Sequence, residues 1–250
     1  MNPTDRIANL MSALDRPTPI EAQLLYDEII DTGTAITGSP GSSAPPLVVL
    51  ESRLSAFHKR FHDQDRVLCQ QYGHHPFDVP LNEVTAWRLA AAIGNPWRQL
   101  LPTAVLRVID NKGGALINDK KGKVDAAVFT EAVSQVDAAA FWDALIGNQD
   151  RNMRNFRYDA AHRRLGLIDH GFVFARPGDL INRSSYFLAT RLTQSKRTLT
   201  QRECDVLEAL LEADLYGLRR VLAVDRADAL QARAERMLSS RLLPPVQGGF

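Results

Sequence analysis

The side chains best placed to do chemistry together fall between residues 150 and 171: Asp150, Arg151, Asn155, Asp169 and His170, with Gly171 behind them. Residues 141–146 form a mainly apolar run that stops at Gly147, which predicts a helix ending there. A polar loop with Asp150, Arg151 and Asn155 follows. Two strand-like runs, 155–158 and 164–168, flank a turn at 159–163 and predict a hairpin. That hairpin would bring Asp150 near Asp169 at the end of its second strand, and Gly171 allows a sharp change of backbone direction. Asn155 adds a neutral oxygen. Such oxygen donors suit magnesium, which keeps several waters and takes few protein carboxylates beside substrate phosphates. The plainer alternative is a hairpin that carries surface acids.

Other elements must position these groups. Residues 47–50 and 54–61 read as strands, and in the second Ser55, Phe57, Lys59 and Phe61 share one face. Lys59, between two aromatics, either snorkels to solvent or faces a cleft and meets phosphate. Residues 81–93 predict a helix that stops at Gly94, with Glu83, Ala86, Trp87, Ala90 and Ala91 on one face. A carboxylate on so apolar a stripe needs a partner, because an isolated buried charge is very costly. Lys59 is the evident one; the alternative is a first-turn Glu that meets the helix dipole and water. Gly, Ser and Pro dominate residues 34–46. This stretch is either a linker or a loop whose backbone and whose Ser42 and Ser43 approach phosphates. Residues 101–108 and 115–117 read as strands around a turn at 111–114, and 66–79 as an irregular connection.

Toward the N-terminus, residues 4–14 predict a short helix. Thr18-Pro19-Ile20-Glu21 forms a capping box with proline at the first helical position, and Gly33 is the expected stop. Beyond the hairpin, 172–199 reads as irregular and mildly basic, with Arg176, Arg183, Arg191, Lys196 and Arg197: a solvated surface, or a loop that receives an acidic substrate. A second capping box, Thr200–Glu203, opens a helix to about Ala213, and two more helices are expected near 215–222 and 226–242.

Asp150-Arg151-Asn152-Met153-Arg154-Asn155 and Ile168-Asp169-His170-Gly171 resemble the catalytic and metal motifs of atypical kinases. They look most like the bacterial phosphatidylinositol 3/4-kinase-like and HipA-like families, whose loops read near D-R-H-x-x-N and I-D-H-G or I-D-F-G. Asn152 stands where those families usually carry His. Phe57-His58-Lys59-Arg60 aligns with their ATP-lysine strand, without its following proline. The helix with Glu83 resembles their E-x-x-A-W helix, and the run from Leu101 followed by Gly113-Gly114 fits as well. The resemblance covers roughly residues 36–175. It implies an α+β, two-lobed kinase-like fold: N-terminal helices over 1–33, a β-rich N-lobe over 34–121 with one key helix, and a mainly helical C-lobe over 122–250. It also implies ATP and Mg²⁺ or Mn²⁺ as cofactors and γ-phosphate transfer to a hydroxyl acceptor, a protein serine or threonine first. Lipid or small-molecule phosphorylation, a nucleotide-binding pseudokinase scaffold and nucleotidyl transfer stand as alternatives. By the same resemblance Lys59 holds phosphates, Glu83 fixes Lys59, Asn155 and Asp169 bind metal, and Asp150 takes the acceptor proton. Ser42 and Ser43 cover the nucleotide, and Asn118 begins an interlobe crossing that lines the adenine pocket.

Bulk properties narrow the field. The net charge of +1 gives no electrostatic footprint for nucleic acid and no polybasic membrane tail. The absence of G-x-x-x-x-G-K-[ST] and G-x-G-x-x-G disfavours P-loop and Rossmann enzymes. Cys69 and Cys204 make no disulfide framework, and no secretory signal pattern opens the sequence, so a cytoplasmic setting is expected. No run is apolar and long enough to span a bilayer. Cys69, His74 and His75 lack a fourth ligand at zinc spacing and read as a buried thiol with two loop imidazoles.

Overall fold

The structure, a computed structural model, describes residues 3–8, 17–33, 45–179, 185–213 and 215–246. It is α+β. A five-stranded antiparallel sheet runs in the order β1 (Ile29–Thr32), β2 (Leu47–Leu50), β3 (Ser55–Arg60), β5 (Lys112–Asn118), β4 (Ala104–Ile109). The β4–β5 turn is Asp110-Asn111, both at positive φ, the two-residue geometry that matches strand twist.

Two helices flank the sheet. Helix α2 (Pro19–Tyr26) and its Leu24 pack on one face against Val48, Leu50, Ala56, Val105 and Leu116. The second, α4 (Asp78–Ile93), joins Ala104 and Ala115 to the main core. It is tied to α2 through Glu21, which completes the capping box with Thr18 and also accepts from Trp87 Nε1 at 2.9 Å. Helix α1 (Pro3–Ala8) contributes Ile7 to the main core. α3 (Arg66–Gln71) precedes α4 and α5 (Trp97–Leu100) follows it.

The rest is mainly helical. α6 (Val128–Glu131) and the buried α7 (Val133–Ile146) lead to the hairpin β6 (Phe156–Asp159) and β7 (Arg164–Leu167). After it come α8 (Tyr186–Thr193), α9 (Gln201–Glu212), α10 (Tyr216–Arg219) and α11 (Val224–Ser240).

Four expectations are corrected. The helix opened by Thr18 stops at Tyr26 rather than running to Gly33, because Arg107 on β4 donates to the terminal carbonyls of Leu24 and Asp27. Ile29, Asp31 and Thr32 then pair with β2 as an edge strand, with a register shift at the intervening Ile30. Residues 66–71 are helical because Asp65 accepts from Val67 and Leu68 N–H. Within 172–199, Ser185 caps α8, and Arg191 is buried against Glu203, not solvated. For the expected helix over 4–14, the described part is Pro3–Ala8, and residues 9–16 lie outside the described residues.

Candidate active site

Lys59 reaches the site from β3, Glu83 from the second turn of α4, and Asp169 from the end of β7. Lys59 Nζ donates to Glu83 Oε1 at 2.7 Å and to Asp169 Oδ1 at 2.6 Å. The Glu83 side chain is 1% exposed and that of Asp169 41%, so Asp169 is the carboxylate a ligand can reach. Burial opposes charge on Lys59, yet Asp169 and Glu83 together outweigh it and raise its pKa above the ordinary lysine value. Burial raises the Glu83 pKa against the pull of Lys59. For Asp169 the balance reverses: Lys59 overcomes burial and holds the carboxyl below its usual range.

Asp169 sits at φ 58°, a left-handed conformation rare for a residue with a Cβ. A hydrogen bond from Gly171 N–H to its own carboxylate supports it. Gly171 is required by close approach: a Cβ there would lie 2.5 Å from Val79 Cγ1 and 3.1 Å from Lys59 Nζ. Between them, His170 accepts from Arg151 Nη2 through Nε2 at 3.0 Å. An arginine only donates, so the imidazole proton sits on Nδ1, which faces Glu83 Oε2 at 3.8 Å. Burial, then the Arg151 charge, keeps His170 neutral.

The loop after α7 is held from beneath. Gly147 ends the helix in the left-handed region. Arg151, 1% exposed, pairs through Nε with both oxygens of buried Asp143, at 3.1 and 3.2 Å. It also donates through Nη1 to the carbonyls of Asn155 and Ile168. Asp143 further accepts from Asn148 and from Ser185, each at 3.0 Å. Arg151 is therefore an anchor of the loop.

On this support Asp150 is half-buried. Its Oδ1 accepts from Asn152 Nδ2 at 2.9 Å and from Tyr72 Oη at 3.4 Å, and its Oδ2 from Asn155 Nδ2 at 3.1 Å. Burial raises its pKa, and the Asp169 charge adds to the rise. Asn152, in the position expected for His, acts as a hydrogen-bond donor to Asp150. Asn155 uses its amide nitrogen on Asp150 and leaves the amide oxygen as the atom available to a cation. Among the described residues no three His, Cys, Asp or Glu side chains gather into a metal-holding group, the trio Cys69, His74 and His75 included. A cation bound by Asn155 and Asp169 would take its other ligands from phosphate and water, as magnesium does.

The structure thus brings together Lys59, Glu83 and Asp169 in one cluster, and Asp150 and Asn155 in an adjoining one. Asn118 stands apart. It pairs with Ala56 on β3, one step out of phase with Lys59, and its side-chain oxygen accepts from Thr103 N–H at 2.8 Å. That bond takes the amide oxygen and leaves the amide nitrogen of Asn118 for other contacts. Ser42 and Ser43 lie outside the described residues.

Sequence reasoning missed a buried polar network behind the site. Asn82 donates to the Gly171 carbonyl at 2.7 Å; His74 meets Asn82 and Gln149; Arg226 from α11 donates to the carbonyls of Phe174 and Gly73. Burial, aided by Arg226, lowers the His74 pKa to about 4. Asp143 was missed too, although an acid in an otherwise apolar helix eight residues before Arg151 is a readable signal.

No protein-family model matches the chain, and no curated protein matches it in sequence. Among solved structures, a co-crystal structure of WbdD with the kinase inhibitor LY294002 is similar, at 13% identity and a TM-score of 0.34. The match covers 93% of this chain and 57% of that one, so this chain spans little more than half the neighbour's length.

Proposed function

We propose that this chain is an ATP- and magnesium-dependent phosphotransferase that moves the γ-phosphate to a hydroxyl acceptor. The observation that supports it most is Lys59 Nζ held between Glu83 and Asp169, at 2.7 and 2.6 Å, beside an Asp150–Asn155 pair. Phosphoryl transfer asks for in-line positioning and charge neutralisation more than covalent work by the protein. Bound magnesium would supply charge neutralisation on the phosphates, held through Asn155 and Asp169. Lys59 binds phosphate oxygens, and Glu83, buried and tied to the His170 backbone, fixes the ammonium in place. Asp150 orients the acceptor hydroxyl and takes its proton as the new oxygen–phosphorus bond forms and the bond from the γ-phosphorus to the departing ADP breaks. Its raised pKa brings that carboxylate closer to the operating pH of a general base.

The acceptor we favour is a protein serine or threonine. Incubation of the chain with γ-labelled and, separately, α-labelled ATP tests the reading, with protein, lipid and small-molecule alcohols as acceptors. Gamma label on a product supports the phosphotransferase, and its chemical class identifies the acceptor. Alpha label on a product would make the reaction nucleotidyl transfer. Saturable ATP binding without turnover would make the chain a nucleotide-binding scaffold.

A further inference from the structure

A second polar cleft lies at the turn end of the β6–β7 hairpin and uses none of the residues of the Lys59 cluster. Its volume is about 530 Å³, within the range of small-molecule sites. Gln99 from α5, residues 119–121 after β5, and Asp159, His162 and Arg164–Gly166 of the hairpin line it. The charges in it do not cancel. Asp119 pairs with Lys121 at 3.4 Å and Asp159 accepts from His162 at 2.8 Å, so with the imidazole neutral three cations, Lys120, Lys121 and Arg164, stand against two carboxylates. Lys120 and Arg164 remain, and neither enters an ion pair among the described residues.

Lys120 is built into place. Its stem lies flat on Gly166, where a Cβ would come within 3.1 Å of Lys120 Cβ, Cγ and Cδ, so a side chain at 166 would displace it. The ammonium donates to one protein acceptor, the Gln99 carbonyl at 2.9 Å, and has two more protons to give. Burial, then the like charge of Arg164, depresses its pKa to about 8. Two cations converging on a cleft without a carboxylate of their own constitute a standing repulsion, and a dianion between them would relieve it.

We propose that this cleft binds the phosphate group of a small phosphomonoester, held by Lys120 and Arg164. The site joins the 119–121 segment to the hairpin whose opposite end carries Asn155 and Asp169. Its occupancy is independent of whether the Lys59 cluster transfers phosphate.

Calorimetric titration of the full chain at pH 8 with inorganic phosphate, and then with glycerol 3-phosphate, tests this. Saturable binding is expected, and it should persist in Lys59→Met. It should weaken at least tenfold in Arg164→Gln, an exposed position that leaves the fold alone, and in Lys120→Met. Repeating the titration in buffers of different ionisation heat should show proton uptake, because the bound dianion restores the charge on Lys120. That uptake should vanish in Lys120→Met. Absence of saturable binding would overturn the proposal, as would binding that survives both substitutions. Binding lost in Lys59→Met but kept in Arg164→Gln would place the anion at the nucleotide cluster and equally overturn it.

Discussion

At the scale of single residues, Asp150 and Asp169 are neighbouring carboxylates pushed in opposite directions. Burial raises the Asp150 pKa, whereas Lys59 holds that of Asp169 down. The first suits a proton acceptor and the second a permanently charged ligand. Asp150→Asn keeps size and removes the acceptor, so turnover should fall about 10²–10⁴-fold. Nucleotide affinity should change little, because Lys59 and Asp169 are untouched; single-turnover transfer measured beside ATP titration on one preparation checks both. Lys120 gives a stability prediction. Its pKa falls from 10.5 to about 8 on folding, so the unfolded chain binds more protons between those values. Stability should therefore rise with pH across that window, and the rise should shrink in Lys120→Met. Urea midpoints of both proteins at pH 7.5, 9 and 10.5 measure the difference; parallel curves would rule out a depressed Lys120.

At the scale of elements, β7 and its continuation into Gly171 must pass within contact of α4 and β3. Gly171→Ala inserts a methyl against Val79 and Lys59. Overpacking of this kind costs about 1–3 kcal/mol, and here the displaced groups include the Lys59 ammonium. Thermal unfolding should report the loss of stability, and ATP titration a weaker affinity. The α7 helix holds the 148–155 loop through Asp143. Asp143→Ala would leave Arg151 charged, buried and without its counter-charge, at a cost of about 3–5 kcal/mol. Because Ser185 also donates to Asp143, α8 should lose hydrogen-exchange protection in the same variant. Unchanged protection there would mean that α8 is held by its apolar contacts alone.

Across the whole molecule, α11 braces the back of the site from far along the chain. Arg226 binds the carbonyls of Phe174 and Gly73, and Arg233 those of Leu145 and Ala175. These bonds span both sides of the 150–171 stretch. Arg226→Met removes charged hydrogen bonds worth about 1.5–3 kcal/mol each and should lower stability and turnover together. ATP affinity should stay near that of the wild type, since Arg226 touches no residue of the Lys59 cluster; a fall in affinity equal to the fall in turnover would show that the brace sets the nucleotide site as well. Among the described residues no helix is long and apolar enough to cross a membrane.

Local chemistry was legible in the sequence wherever a short-range rule governs it. Both capping boxes, at Thr18 and Thr200, form as their spacing requires, and the expected hairpin forms, with Phe156–Asp159 paired to Arg164–Leu167. The apolar stripe around Glu83 left a carboxylate in need of a partner, and the alternation of Ser55, Phe57 and Lys59 offered a cation. The sequence nominated their pairing, 24 residues apart, by the cost of burying Glu83 alone. Tertiary structure decided what no local pattern encodes. Arg107, some eighty residues away, ends α2 by taking its last carbonyls and so turns Ile29–Thr32 into an edge strand. Arg191 looks like a surface charge until Glu203 is folded against it, and the Asn118 side-chain oxygen finds its donor in Thr103 N–H on a neighbouring segment. Lys120 and Arg164, unremarkable in sequence, become a like-charged pair only when the hairpin closes on the 119–121 segment. Caps and alternation are set by neighbours within a few residues. The partner of a buried charge is set by whichever distant segment excludes water from it.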